Sequence, residues 1–196
     1  MLTDVHLPEQ VETVSASVDA LQIPAFLCRQ TDLLLAAGAS GLPINVKKGQ
    51  WMDPEQIAHS VAKVQSAGGT AVAVTERGTA FGYGRWIVDM RSFQIMRGAT
   101  GCPAVFDGTH SVQLPGGGGT HSGGEPQFVE TLCRAAVGAG ADGLFLETHP
   151  DPGSAPSDGS NMLPLERLEP LVEEILKIHD LVRRGGRRKP DSGGAG

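Results

Sequence analysis

GLFLETHP, residues 143–150, decides the architecture. From Gly143 to Leu146 the run carries no polar side chain, so both of its faces must be covered, which marks a parallel strand buried on two sides. At Glu147 the character flips. Glu147, Thr148 and His149 send polar groups out of the carboxyl end, and the Pro/Gly/Ser-rich stretch HPDPGSAPSDGSNMLPL, residues 149–165, delays the next helix. A buried strand with a polar tip and a long following loop reads as one edge of an active site.

Working outward, the same pattern of an apolar run with a polar end recurs in MLTDVH (1–6), QIPAFLCRQTD (22–32), LPINVKK (42–48), TAVAVTERG (70–78) and PAVFDGTH (103–110). Helical patterns lie between most of them. In DPEQIAHSVAKVQSAGG (53–69), Asp53 can cap, Pro54 suits a first turn, Ile57, Val61 and Val64 share a face, and Gly68 and Gly69 stop the helix. The stretches 124–143 and 163–184 behave alike, with Phe128, Leu132, Leu168, Val172 and Ile175 expected to face the sheet. Alternating strands and helices leave a doubly wound sheet or a (β/α)8 TIM barrel, both with ligands at the carboxyl ends of the strands. No GxGxxG follows the first strand, and polar residues end nearly every strand rather than one switch point, which favours the barrel. Eight units need about 250 residues, so 196 residues hold about six, an incomplete barrel. Met1 opens directly on a strand, and the expectation is a start that lies inside the barrel.

The domain is expected over residues 1–182, followed by a disordered, basic and Gly-rich tail over 183–196, where RRGGRRKPDSGGAG lacks apolar positions. The net charge of −6 argues against a nucleic-acid partner, which would call for a basic face. No apolar run approaches the ~20 residues of a membrane span, and no signal peptide is evident, so no membrane partner is expected. Cys28, Cys102 and Cys133 are scattered without CxxC spacing, which suits a reducing compartment, and the cytoplasm is the expected location.

The strand ends set up the chemistry. Lys47 and Lys48 end one strand and Glu76 and Arg77 the next, placing cations that suit an anionic substrate, or else forming surface ion pairs. The glycine-rich segment 114–124 permits unusual backbone angles, and Ser122 within it is a candidate phosphate contact or helix cap. His110, Glu147 and Asp158 form a candidate metal set of one imidazole and two carboxylates, with loop hydrogen bonding as the alternative. Asp4 and His6 could serve a sugar hydroxyl or phosphate or simply pair at a strand end. His59 and His179 read as surface or packing residues, and Cys28 as a core thiol.

Taken in order, TDVH, QIPAFLCRQTD, INVKKGQW, ERGTAFGYG, FDGTHSVQLPGG, SGG, ETHPDP and SDG make a series far more specific than any one piece. From about Leu2 to Val182 it closely resembles the 3-deoxy-D-manno-octulosonate 8-phosphate (Kdo 8-phosphate) synthases. The resemblance implies a (β/α)8 barrel, a homotetramer when full length, and condensation of phosphoenolpyruvate with arabinose 5-phosphate for lipopolysaccharide synthesis. It implies that Lys48 and Arg77 hold the phosphoenolpyruvate anion, with Gln22 nearby. Asp4, His6, Arg29, Gln113 and Ser122 would line the sugar-phosphate side. In the metal-dependent branch a Cys, a His, a Glu and an Asp bind zinc, iron or manganese. His110, Glu147 and Asp158 match the last three, and no organic cofactor is implied. His110 would serve as metal ligand or proton relay. The family's first two strand–helix units, with the metal-ligating Cys, a further lysine and an Asn-Arg motif, have no counterpart here, and Cys28 lies in a different motif. Two alternatives stay open: the related synthase that takes erythrose 4-phosphate, and an inactive fragment that associates with other subunits.

Overall fold

The computed structural model describes residues 1–81, 84–116 and 123–186. Six parallel strands form one curled sheet in strictly sequential order: β1 (Leu2–Asp4), β2 (Ala20–Ile23), β3 (Ile44–Lys47), β4 (Val72–Glu76), β5 (Ala104–Asp107) and β6 (Gly143–Phe145). Each is followed by a helix: α1 (Pro8–Ser15), α2 (Thr31–Ala39), α3 (Ile57–Ser66), α4 (Ser92–Thr100), α5 (Val129–Gly138) and α6 (Leu168–Gly186). This is the six-unit arc of a (β/α)8 barrel, as the alternation required. The last helix runs four residues past Val182. None of the described helices is long and apolar enough to cross a membrane.

The middle strands are sealed on both faces. Every residue of β3 is buried, and Val74, Thr75 and Glu76 of β4 are likewise enclosed. The core lies between sheet and helices, where Phe93 of α4 meets Phe106 of β5 edge-on with centroids 5.9 Å apart. Ile57, Val61 and Val64 face it as the 3.6-residue period demanded, while Asp53 caps the short 3-10 turn that leads into α3 by accepting from the Glu55 amide at 2.9 Å.

Two expectations are corrected. The apolar run after Gln22 does not continue as strand: Pro24 lacks an N–H for the ladder, and Ala25–Leu27 close a 3-10 turn instead. The sheet-facing stripes of the last two helices are each corrected at one position, while Leu132, Leu168 and Ile175 pack into or against the core as expected. Phe128 and Val172 are exposed, and the buried positions are Val129, Cys133, Ala136 and Val137 on α5 and Leu171 and Ile175 on α6. Phe128 sits in the turn that precedes α5, outside the helical period.

Long excursions occur only at the carboxyl ends of the strands. After β4, Thr79–Ala80 pairs antiparallel with Trp86–Ile87; after β5, Gln113–Leu114 pairs antiparallel with Gly123–Gly124; after β6, Thr148–His149 pairs parallel with Leu163–Pro164. These ribbons raise walls on one side of the sheet. The other side is closed by tight turns, such as that at Gly101, whose φ of 69° ends α4.

Two helical glycines with opposite surroundings test the packing. A Cβ on Gly38 of α2 would lie 2.3 Å from the Val64 carbonyl oxygen of α3, whereas one on Gly98 of α4 meets nothing within 4 Å. Alanine gains about 0.5–1 kcal/mol of helix propensity at either site. At Gly38 the overpacking cost of about 1–3 kcal/mol wins. Thermal unfolding should therefore show Gly98→Ala raising the melting temperature and Gly38→Ala lowering it. A higher melting temperature for both would mean that α2 and α3 are not in close contact.

Candidate active site

Side chains alternate across a strand, and this rule sorts the polar residues. Asn45 and Lys47 share one face of β3, Thr75 and Arg77 the same face of β4 and its exit, and Asp107 the end of β5. Together they line the inside of the curl. A hydrogen-bonded ladder crosses four strands there: Gln22 donates to Asp4 at 2.5 Å, Asn45 to Gln22 at 2.8 Å and Thr75 to Asn45 at 2.7 Å. An ionised carboxylate only accepts, so Asp4 fixes the direction of each amide along the ladder.

Above it lies the charged network. Asp107 is fully buried, and its Oδ2 takes both the Lys47 ammonium at 2.7 Å and the His110 ring Nδ1 at 2.7 Å, while Oδ1 accepts the His110 amide at 2.9 Å. The Lys47 ammonium also sits 4.0 Å from the centre of the Phe145 ring. Burial pushes the Asp107 carboxyl up, but the His110 hydrogen bond and the charges of His110 and Lys47 outweigh it and hold its pKa at about 2.

The metal candidates converge. One ligand atom from each of His110, Glu147 and Asp158 lies within 4.8 Å of the others, and His110 Nε2 is 3.4 Å from Glu147 Oε1. The Glu147 amide is held by Thr109 Oγ1 at 2.8 Å, which fixes the strand exit. Asp158 reaches the cluster from the long loop with a φ of 50°, the only positive φ at a non-glycine residue among those described. Burial raises the pKa of Glu147, with the negative charges of Asp158 and Asp107 adding to the effect of burial and His110 opposing it. A divalent cation at this point would relieve that penalty, and an imidazole with two carboxylates is a donor set suited to zinc, iron or manganese. The residues fit a metal.

Gln113 ties the two halves together. Its Oε1 accepts from Arg77 at 2.6 Å and its Nε2 donates to Asp158 at 2.9 Å. A guanidinium only donates and a carboxylate only accepts, so the amide has one orientation. Arg77 is buried, its guanidinium 5.3 Å from the Trp86 ring centre, and its second terminal nitrogen, NH1, has no partner among the described residues. Burial lowers the pKa of Arg77, and the charges of Asp107, Glu76 and Asp158 partly restore it.

The remaining expected residues separate. Lys48 is turned away by strand alternation and fully enclosed, donating to Thr79 Oγ1, Gly49 O and Met52 O at 3.2–3.4 Å and lying 3.5 Å from Glu76. Lys47, not Lys48, shares the inner face of the curl with Arg77. His6 is exposed at the end of β1, and Arg29 is exposed at the outer rim, beside a hollow shared with Met52, His59 and Lys63. Ser122 lies outside the described residues. Cys28 is a core thiol whose sulfur meets Met52 Sδ at 3.2 Å, and burial pushes the Cys133 thiol up to about 12. Sequence reasoning missed Asp107 and undervalued Lys47, although the period-two alternation through INVK would have separated Lys47 from Lys48.

The family model described as DAHP synthetase I family matches residues 1–183. The chain belongs to that family. Among DAHP synthetase I family relatives, the 2-dehydro-3-deoxyphosphooctonate aldolase of Syntrophotalea carbinolica is 55% identical over 183 residues, 93% of this chain and 66% of that protein. Proteins of the same name from Nitrobacter hamburgensis and Rhodopseudomonas palustris are 56% and 55% identical, each with 64% of its length covered and 93–94% of this chain. The chain thus spans slightly under two thirds of the length of these curated relatives.

The Asp107 pairings give the site a pH signature. Its folded pKa lies below the unfolded value of 3.8, so its stabilisation is present above that value and is lost as pH falls through about 2. At neutral pH, Asp107→Asn should cost about 3–5 kcal/mol by stranding buried Lys47. That deficit should narrow by about 2 kcal/mol between pH 5 and pH 2 in denaturant titrations. A deficit independent of pH would show that Asp107 is not ionised in the fold.

Proposed function

We propose that the site joins phosphoenolpyruvate to D-arabinose 5-phosphate, adding water and releasing inorganic phosphate, to give 3-deoxy-D-manno-octulosonate 8-phosphate in the cytoplasm. The single observation that carries this reading is the buried Nη1 of Arg77, without a partner among the described residues, on the same inner face as Lys47 and linked through Gln113 to the cluster of His110, Glu147 and Asp158. A buried guanidinium nitrogen without a protein acceptor calls for an anionic oxygen. The names of the relatives, which all specify an eight-carbon phosphorylated 3-deoxy acid, point the same way.

In this reading Arg77 and Lys47 hold the carboxylate and phosphate of phosphoenolpyruvate, and Gln22 of the ladder lines the floor. Lys48, enclosed beneath, supports the β3 exit rather than touching substrate. His110, Glu147 and Asp158 would hold a divalent cation, which would supply Lewis-acid polarisation of the aldehyde oxygen or of water. The enol carbon C3 forms a bond to the sugar aldehyde carbon, whose oxygen takes a proton, while the oxygen of water bonds to C2. The C2–O bond to phosphate then breaks and leaves the ketone. Fixed charges at Arg77 and Lys47 offset the negative charge throughout without reorganising. Asp4, His6 and Ser122 stay assigned to the sugar-phosphate side, whereas Arg29, at the outer rim, takes no part in this reading.

Phosphate release from phosphoenolpyruvate, measured with the whole protein that carries residues 1–196, should require arabinose 5-phosphate. Equal release with erythrose 4-phosphate would reject the sugar assignment. Arg77→Ala and Lys47→Met should each weaken phosphoenolpyruvate binding about 10- to 150-fold in calorimetry, since a charge-assisted hydrogen bond contributes about 1.5–3 kcal/mol. Undiminished binding would remove the pair from the anion site.

A further inference from the structure

We infer that Asp107 is a positioning residue that fixes the tautomer of His110, holding the proton on Nδ1 so that the lone pair of Nε2 faces Glu147 and Asp158. This rests on the reading of those three residues as a cation site, but it follows from contacts that do not involve a cation. Asp107 Oδ2 accepts from Lys47 and lies 2.7 Å from His110 Nδ1, and Oδ1 is taken by the His110 amide. With an ammonium and a backbone N–H already donating to it, the carboxylate is an obligate acceptor, and Nδ1 must carry its hydrogen. Nε2, on the far side of the ring, is then the basic nitrogen, 3.4 Å from Glu147 Oε1 and within the cluster. The other charged or polar groups at the site bear on different atoms: Arg77 on Gln113, Gln113 on Asp158, and Thr109 on the Glu147 amide. Glu147 faces Nε2, and among the described residues Asp107 is the group that faces Nδ1.

The substitution that reads this is Asp107→Ala. Asparagine does not, because an amide oxygen in the Oδ2 position still accepts from both Lys47 and Nδ1. Alanine leaves Nδ1 without its acceptor while Glu147 Oε1 still faces Nε2 and draws the ring hydrogen there, where it blocks a cation. Long-range proton–nitrogen spectra of imidazole-labelled protein distinguish the two tautomers, with the His110 signals assigned by their loss in His110→Gln. The neutral ring of the wild type should show Nδ1–H, and Asp107→Ala should show Nε2–H. Lys47→Met, which leaves the Asp107–His110 contact in place, should keep Nδ1–H.

Manganese affinity measured by calorimetry should fall about 10- to 100-fold in Asp107→Ala, the range seen when a ligand's supporting hydrogen bond is removed. The Nε2–H tautomer in the neutral ring of the wild type would overturn the inference whether or not any variant folds, as would Nδ1–H retained in Asp107→Ala. Nδ1–H in the wild type without manganese binding would uphold the tautomer and overturn the cation reading instead, so the two failures are distinguishable.

Discussion

One buried carboxylate holds this site in its shape. Asp107 is withdrawn from water at the end of β5, and withdrawing a single ion carries a penalty of several kcal/mol unless it is fully paired. Three donors converge on it, one from β3 and two from the loop after β5, and they account for its lowered pKa. Because the Lys47 and His110 contacts share one oxygen, the anion-binding half and the cation-binding half of the site cannot be arranged independently. Gln113 makes the second link, between Arg77 and Asp158, so the site is closed into a network rather than strung along a surface.

The sheet supplies what the network needs. Sequential parallel strands bring six strand ends to one side, and the alternating pleat delivers Asn45, Lys47, Thr75, Arg77 and Asp107 to the inside of the curl. The ladder from Asp4 to Thr75 lies beneath, with each amide's direction set by the acceptor at its end. Fixed polarity of this kind lets buried amides be satisfied without rearrangement, which suits a site that must present charge in one geometry.

Much of the fold was legible in the sequence because its cause is local. Apolar runs with polar ends and intervening 3.6-residue periods specify parallel strands and covering helices, and Ile57, Val61 and Val64 lie where that period puts them. The metal candidates were legible as residue types after successive strands, and the structure brings their ligand atoms together. What escaped depends on one-residue phase. Lys47 and Lys48 are chemically identical, and only the pleat decides that one meets Asp107 while the other is sealed against Glu76. Asp107 itself escaped because FDGTH shows an imidazole and a carboxylate without revealing that the carboxylate points inward under the imidazole. On α6 Val172 alone of the expected stripe was misplaced, for a similar reason, since Val172 and Leu171 are both apolar and only the helix's rotation against its neighbours separates them.

The central claim is that this network is built for a cation on one side and an anion on the other. Crystals of the protein soaked with manganese and phosphoenolpyruvate test it most directly, through the anomalous signal of the metal and the density of the phosphate. Manganese is expected between His110 Nε2, Glu147 and Asp158, with an anionic oxygen of phosphoenolpyruvate on Arg77 NH1 and near the Lys47 ammonium. Metal bound elsewhere, or phosphoenolpyruvate seated against Arg29 at the outer rim with Arg77 NH1 still unpaired, would contradict the account.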